Sequence, residues 1–252
     1  MTPASDVVSA VPAGYDGMGE FHDLFMDESH RRLRPALEAA FGGLDTDEVV
    51  LDLGAGSGLG VRQLAQATRA RIIAVEPSLT MRAVLLARVA DDPALTGRVS
   101  VLAGAVPDVF EQLPGRVAGF VCAHMLGHLS KAARVQTFAV LSDRLMPTGV
   151  GVVTVNGATA PPSEAVIEER RIGEHRYIAR HLTAGADGEA DSEYEVYDAD
   201  GRLIRAARFP AGWTTITADL LRAELAPTEW RLTAREDAPT VLLVTRGSEG
   251  EQ

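Results

Sequence analysis

Apolar residues along this chain follow two kinds of pattern, and the style changes near residue 156. Between residues 49 and 156, short runs of consecutive apolar positions alternate with stretches where apolar residues recur every three or four places. The runs cover residues 49–53, 71–76, 99–102, 119–123 and 150–155. Each is too short for a helix and almost wholly apolar, as strands covered on both faces are. Helical spacing fills the gaps. Val61, Leu64 and Ala65 follow the first run, residues 79–89 follow the second, and Val135, Phe138, Leu141 and Leu145 follow the fourth behind Ser130, a plausible N-cap. Upstream, Leu33, Leu37 and Phe41 predict one more helix, with Pro35 near its first turn, where a missing N–H is tolerated. Such alternation indicates βαβ units and a parallel sheet.

Beyond Asn156 the chain is broken by Pro161-Pro162. Residues 172–181, 193–198 and 203–209 then read as three antiparallel strands, with turns at Asp187-Gly188 and Asp200-Gly201. A helix pattern at Ala218, Leu220, Leu221 and Leu225 and two strands at 230–235 and 240–245 close the chain. The expected organisation is one α/β domain over 15–252, after a mobile tail at 1–14. Within it, 15–45 is helical, 46–156 is the core, 157–215 is a β-rich insertion after the fifth strand, and 216–252 is the closing helix and strand pair.

Composition narrows the function classes. The 252 residues are 46% hydrophobic and 23% charged, which suits a packed core. No stretch reaches the roughly 18 apolar residues of a membrane span, and the first fourteen residues carry Asp6 but no Lys or Arg, unlike a secretory signal. A net charge of −11 repels phosphate backbones, so nucleic acid is not an expected partner. Arg31, Arg32 and Arg34 lie at helical spacing and read as a solvated face. The single cysteine, Cys122, sits in an apolar strand as an inert thiol, excludes an internal disulfide and fits a reducing cytoplasm. Lys131 is the only lysine; that arginine bias, with abundant alanine, points to a GC-rich genome.

The first strand runs into Asp52-Leu53-Gly54-Ala55-Gly56-Ser57-Gly58-Leu59-Gly60 and then a helix. Glycines let the backbone turn sharply and let a ligand approach, and the helix presents free N–H groups to it. Glu76 ends the second strand, where a doubly wound sheet puts a carboxylate beside the loop and within reach of ribose hydroxyls. The third glycine comes one residue early for the dinucleotide fingerprint, and no Gly-Lys-Ser/Thr follows for a Walker loop.

Asp52-Leu53-Gly54-Ala55-Gly56-Ser57-Gly58 resembles motif I of class I S-adenosylmethionine-dependent methyltransferases, and Val75-Glu76-Pro77-Ser78 resembles their ribose-binding motif. The arginine-rich composition adds a likeness to actinobacterial small-molecule members. The resemblance implies a Rossmann-like, doubly wound, mostly parallel seven-stranded sheet with the antiparallel insertion, and S-adenosylmethionine as cofactor. It implies that Gly54, Ala55 and Gly56 approach the methionine part, that Asp52 orders its amino group, directly or through water, and that Glu76 holds the ribose. Pro77, Met81, Gly104, Ala105, Ala123 and Tyr15 complete the expected cofactor site. The acidic residue that many members carry after the third strand is missing from Ala103-Gly104-Ala105-Val106, so adenine would rest on backbone groups or Asp108.

Methyl transfer is an in-line displacement that needs an aligned acceptor and, for a hydroxyl, a base. The fourth strand runs on to His124 and His128, the two general-base candidates, although histidines at strand ends are often structural. Tyr15-Asp16 and Phe21 to Phe25 resemble the lid segment of small-molecule members. His175, Tyr177, His181, Tyr194, Tyr197 and Trp213 lie in the insertion, which in the family often shapes the acceptor pocket. The expected partner is a small-molecule acceptor, plausibly of secondary metabolism, with a homodimer left open and no metal or membrane. The alternative is a non-methylating enzyme, such as a cyclase, that retains the same cofactor on the same fold.

Overall fold

The computed structural model describes residues 15–157, 166–181, 191–210 and 214–247. The tail at 1–14, Pro161-Pro162, the Asp187-Gly188 turn and Trp213 lie outside the described residues. Helices α1 (Tyr15–Arg31) and α2 (Arg34–Phe41) precede the alternating region. There follow β1 (Val49–Leu53), α3 (Leu59–Ala67), β2 (Arg71–Glu76), α4 (Leu79–Asp91), a short α5 (Pro93–Thr96), β3 (Val99–Ala103), β4 (Val117–Cys122), α6 (Lys131–Arg144) and β5 (Leu145–Thr154). The insertion contributes β6 (Val166–Ile172), β7 (His175–His181), β8 (Asp191–Tyr197) and β9 (Leu203–Pro210), and the chain closes with α7 (Ala218–Leu225), β10 (Trp230–Ala234) and β11 (Val241–Arg246).

Seven strands form one sheet in the order β10-β11-β5-β4-β1-β2-β3. The first five strands are mutually parallel, while β11 runs antiparallel to both β5 and β10. Side-chain alternation along β1 sorts the two faces. Leu51 and Leu53 join Phe110, Phe138, Leu141, Leu221 and Trp230 on one side, and Val50 joins Leu37, Phe41, Leu64 and Leu85 on the other. Ser130 caps α6 by accepting from the Ala133 amide, as its sequence position predicts.

The insertion is a separate four-stranded antiparallel sheet, β6-β7-β8-β9. Three strands were expected; the fourth is β6. It carries Glu168, Glu169, Arg170 and Arg171 at the sheet edge, where charge is tolerated and deters further pairing. Its hairpin turns at Gly173-Glu174, with Gly173 at φ +57°, and that dipeptide is a weaker turn signal than Asn-Gly. One face of this sheet packs on α1. Tyr194 stacks on Phe21 with ring centroids 4.7 Å apart, and Phe25, Ala179 and Val196 complete the cluster. Helix α1 therefore lies between the insertion and the main domain, where it contacts α3 and α4. No helix among the described residues is long and apolar enough to cross a membrane.

Candidate active site

Three alternate glycines in left-handed backbone shape the loop after β1: Gly54 at φ +72°, Gly56 at +56° and Gly58 at +90°. A Cβ on Gly54 would stand 2.7 Å from Met125 Cβ, whereas one on Gly56 would meet only the His22 ring at 3.7 Å. The loop is tethered to β2 because the Gly54 and Ala55 amides both donate to the Val75 carbonyl at 2.9 Å. Glu76 accepts from the Gly56 amide and from the Ser78 amide, each at 2.8 Å. Burial nonetheless raises its carboxyl above the ordinary range, against those hydrogen bonds. Asp52 is 2% exposed, and its Oδ2 has no hydrogen-bond partner. Burial first, and the Glu76 charge second, push it up to about 7.

Helix α1 closes over this loop. His22, Met26 and His30 repeat every four residues on its inner stripe, and Phe21 and Phe25 face the insertion. Asp23 is the clasp: it accepts from Ser57 Oγ and from Arg88 Nη2 (2.5 Å), and it bonds His22 Nδ1 at 3.0 Å. Burial alone would raise its pKa, but these hydrogen bonds and the Arg88 charge outweigh it and hold the carboxylate well below the usual range.

His124 follows β4 in the left-handed region, at φ +56°, with its amide donating to Thr154 Oγ1 at 2.7 Å. Non-glycine residues rarely sit there, and those that do cluster at functional sites. Its ring stands free in the cleft, so its accessible area is large, yet protein surrounds the cleft. That burial, then the His30 and His22 imidazoles, lowers its pKa to about 4; water in the open cleft moderates the effect, and a ligand filling the cleft would restore it in full.

These groups bound one cleft of about 110 Å³ at the carboxyl ends of β1, β2 and β4. Gly54, Ala55, Gly56, Glu76, Pro77, Met81, Gly104, Ala105, Ala123, His124 and His128 all line it. Asp52 lies behind the loop instead, and Asp108 is exposed outside the cleft. Tyr15 is the first residue of α1, and its side chain lies outside the described residues. The lining also includes Val75 and Ser78 of the ribose-binding motif and Val106 of the stretch after β3, together with His22, His30, Met125 and Leu129, which the motifs did not single out. For the two histidines, the every-fourth-residue stripe on α1 was the available signal.

Among the described insertion aromatics none lines the cleft. Tyr177 and Tyr194 pack on α1, Tyr197 donates to Glu195 and sits under Arg176, and His175 is exposed; the side chain of His181 lies outside the described residues. Cys122 is fully buried, its thiol pushed well up by burial and secondarily by Asp52. A larger cavity of about 470 Å³ lies at the opposite, amino-terminal ends of the strands, between Arg71, Arg98 and Arg116. Ligands of open α/β sheets sit beyond the carboxyl ends, so the smaller cleft is the candidate site. Among the described residues no group of His, Cys, Asp or Glu could hold a metal ion.

Residues 50–149 match a family model described as a methyltransferase domain. No curated protein sequence matches the chain. Solved structures do, at low identity. DesVI of Streptomyces venezuelae superposes with a TM-score of 0.69 at 15% identity, over 95% of this chain and 100% of that one. The CcbJ methyltransferase of Streptomyces caelestis gives 0.67 at 16%, over 92% and 96%. CalS10 of Micromonospora echinaspora, an amino pentose methyltransferase of calicheamicin biosynthesis solved with S-adenosylmethionine, gives 0.64 at 17%, over 94% and 98%. The glycine loop and Glu76 thus lie in the stretch that matches a methyltransferase-domain model, and the chain carries the class I methyltransferase fold over nearly its whole length.

Proposed function

We propose that this protein transfers a methyl group from S-adenosylmethionine to a small-molecule acceptor. The observation that carries the reading is one cleft bounded by the glycine loop, Glu76 and the histidines after β4. The residues fit the cofactor. Gly56 leaves the loop open toward the cleft, Glu76 offers carboxylate lone pairs at the strand end, and Asp52 Oδ2 is a buried acceptor without a donor. When bound, the cofactor supplies a methyl group already activated on a sulfonium. The chain's part is to hold the ribose at Glu76, to let Gly54, Ala55 and Gly56 approach the methionine moiety, and to enclose adenine by Pro77, Met81, Gly104 and Ala105.

His124 and His128 are the groups that would align the acceptor and take its proton. His124 suits that role as a neutral imidazole across the physiological range. Residues 15–45 act as the lid, 46–156 as the cofactor core, and 157–215 shape the acceptor side by backing α1. A cleft of about 110 Å³ is smaller than the roughly 300–1,000 Å³ of ligand sites, and an outward shift of α1 would widen it.

The structural neighbours support an acceptor of secondary metabolism, since they include a sugar N-methyltransferase and a glycopeptide N-methyltransferase. Cys122 as the single, buried thiol supports a cytoplasmic protein. Exposed Leu203 and Ile204 on the edge strand β9 support a homodimer, which light scattering would test. The decisive experiment is binding of S-adenosylhomocysteine, followed by label transfer to a panel of amino sugars and hydroxylated metabolites. Tight binding of a nicotinamide dinucleotide with none of S-adenosylhomocysteine would sink the reading.

A further inference from the structure

The segment after β4 forms one wall of the cleft. His124, Met125, His128 and Leu129 line it, and residues 126–128 make a single 3₁₀ turn. One turn satisfies few of its own carbonyls, so partners must come from elsewhere. Arg134, one turn into α6, donates from Nη1 to the carbonyls of Leu126 (3.4 Å) and Leu129. Its other edge forks onto Glu224 of α7, with Nε and Nη2 at 2.8 and 2.6 Å from the two carboxylate oxygens. Both side chains are 4% exposed. The Gly127 carbonyl accepts from the Thr214 amide at 2.8 Å, just upstream of α7. Ile216 is in turn bonded to Asn156, its carbonyl accepting from the Asn156 amide and its own amide donating to Asn156 Oδ1. Three carbonyls of the turn are thus held by α6 and by the stretch that closes the insertion.

A buried ion pair is weak evidence for stability, because an apolar pair of similar volume often does as well. A guanidinium does what no apolar side chain can. Its planar fork fixes one edge on a carboxylate and aims the remaining N–H bonds at other acceptors. Glu224 thereby sets the plane of Arg134, and Arg134 sets the turn. Resting on the methyl-transfer reading above, we infer that Arg134 is a positioning residue for that reaction: held by Glu224, it fixes the turn at 126–129 and with it the place of His128 beside the acceptor. Neither member of the pair lines the cleft, so neither touches the cofactor or takes a proton. The pair also ties the turn to α7, so the chain that leaves the insertion and the chain that carries His128 are set by one contact.

The test separates position from stability. Wild type, Arg134→Met, Arg134→Lys and the double variant Arg134→Met with Glu224→Leu are compared by thermal melting, by the His128 Cε1–H resonance, assigned through His128→Asn, and by calorimetry with S-adenosylhomocysteine. The double variant regains the melting temperature that Arg134→Met loses, yet its His128 resonance stays away from the wild-type position. Its kcat for an amino sugar that the wild type methylates stays between about 10- and 100-fold down, the scale of a misplacement of about 1 Å. Its affinity for S-adenosylhomocysteine, which rests on the glycine loop and Glu76, stays within about threefold of wild type. Arg134→Lys keeps the charge beside Glu224, but its single nitrogen cannot span carboxylate and carbonyls, so it displaces the resonance too; this variant decides the matter should the double variant fail to fold. A wild-type resonance in either variant overturns the inference, and so does a fall in S-adenosylhomocysteine affinity as large as the fall in kcat. If wild type binds no S-adenosylhomocysteine, the methyl-transfer reading falls, while the resonance in the ligand-free proteins still decides whether Arg134 sets the turn.

Discussion

Replacing Asp52 by Asn should stabilise the cofactor-free protein above neutral pH and, in the same stroke, remove its affinity for the cofactor. The carboxyl is 2% exposed, has an unpartnered Oδ2, and is moved from 3.8 to about 7 by burial and then by Glu76. The folded chain therefore keeps a proton that the unfolded chain releases over that interval. The stabilisation by the neutral form is whole below the unfolded value and is lost as pH rises to about 7; above it, folding must bury the charge. Three pH units at about 1.4 kcal/mol each give ~4 kcal/mol near pH 8 and about half of that near pH 5.5. Relaxation around the carboxylate brings the expected gain from Asn to about 2–4 kcal/mol at the higher pH, falling toward zero near pH 4. For a chain of this size each kcal/mol is worth roughly 2–4 °C in melting temperature. Urea unfolding of both proteins at about pH 5.5 and pH 8 measures the difference directly. A gain equal at the two pH values, or a loss at the higher one, would refute the reasoning. A hundredfold excess of S-adenosylhomocysteine over its dissociation constant should add about 2.7 kcal/mol to wild type and nothing to Asp52→Asn.

Alanine at Gly54 and at Gly56 should separate stability from affinity. Both positions require left-handed backbone, at about 1–2 kcal/mol, but Gly54→Ala also drives a methyl into Met125 and lowers the melting temperature, while Gly56→Ala meets open cleft and chiefly weakens S-adenosylhomocysteine binding in calorimetry. Arg134 donates to Glu224 from Nε at 2.8 Å and Nη2 at 2.6 Å, and to the Leu129 carbonyl in the cleft wall. Arg134→Met should therefore cost about 3–5 kcal/mol by leaving a buried carboxylate alone, and Arg134→Met with Glu224→Leu should recover most of that in urea unfolding. The His124 Cε1–H resonance, assigned through His124→Asn, should titrate below the usual histidine range, and lower still, toward about 4, once S-adenosylhomocysteine fills the cleft; a midpoint near 6.5 in both states would contradict the burial argument.

Sequence legibility followed burial. Strands β1 and β4 are buried along their whole length and β2 and the end of β5 nearly so, so their apolar runs stand out without any partner in view, and the loop from Gly54 to Gly60 with Glu76 is a local arrangement whose spacing alone constrains its geometry. Strand β6 was hidden because its outer position permits four charged residues in a row, and a strand exposed that far has no apolar signature. The aromatics of β7 and β8 were legible as aromatics but not as partners of α1, because Tyr177 and Tyr194 meet Phe21 and Phe25 only through the tertiary fold. His22 and His30 left only a weak signal, their spacing on α1 and the place of His22 in the lid segment, because the groups near them, Gly56 and His124, lie far along the chain.

Helix α1 is held from both sides by unlike forces, and this bears on how the site works. On the main-domain side α1 packs on α3 and α4, clasped by Asp23 to Ser57 and Arg88 and by Asp27 to Arg62. On the insertion side the Phe21, Phe25 and Tyr194 cluster is apolar, and it is not tied to the cofactor core. Opening the cleft by breaking the clasp exchanges its hydrogen bonds for water, at a modest net cost per bond, while pulling α1 from the insertion would expose aromatic faces. On this argument changes on the insertion's inner face alter where His22 and His30 come to rest over the cleft, and so affect cofactor and acceptor alignment without touching Gly54 to Gly60 at all.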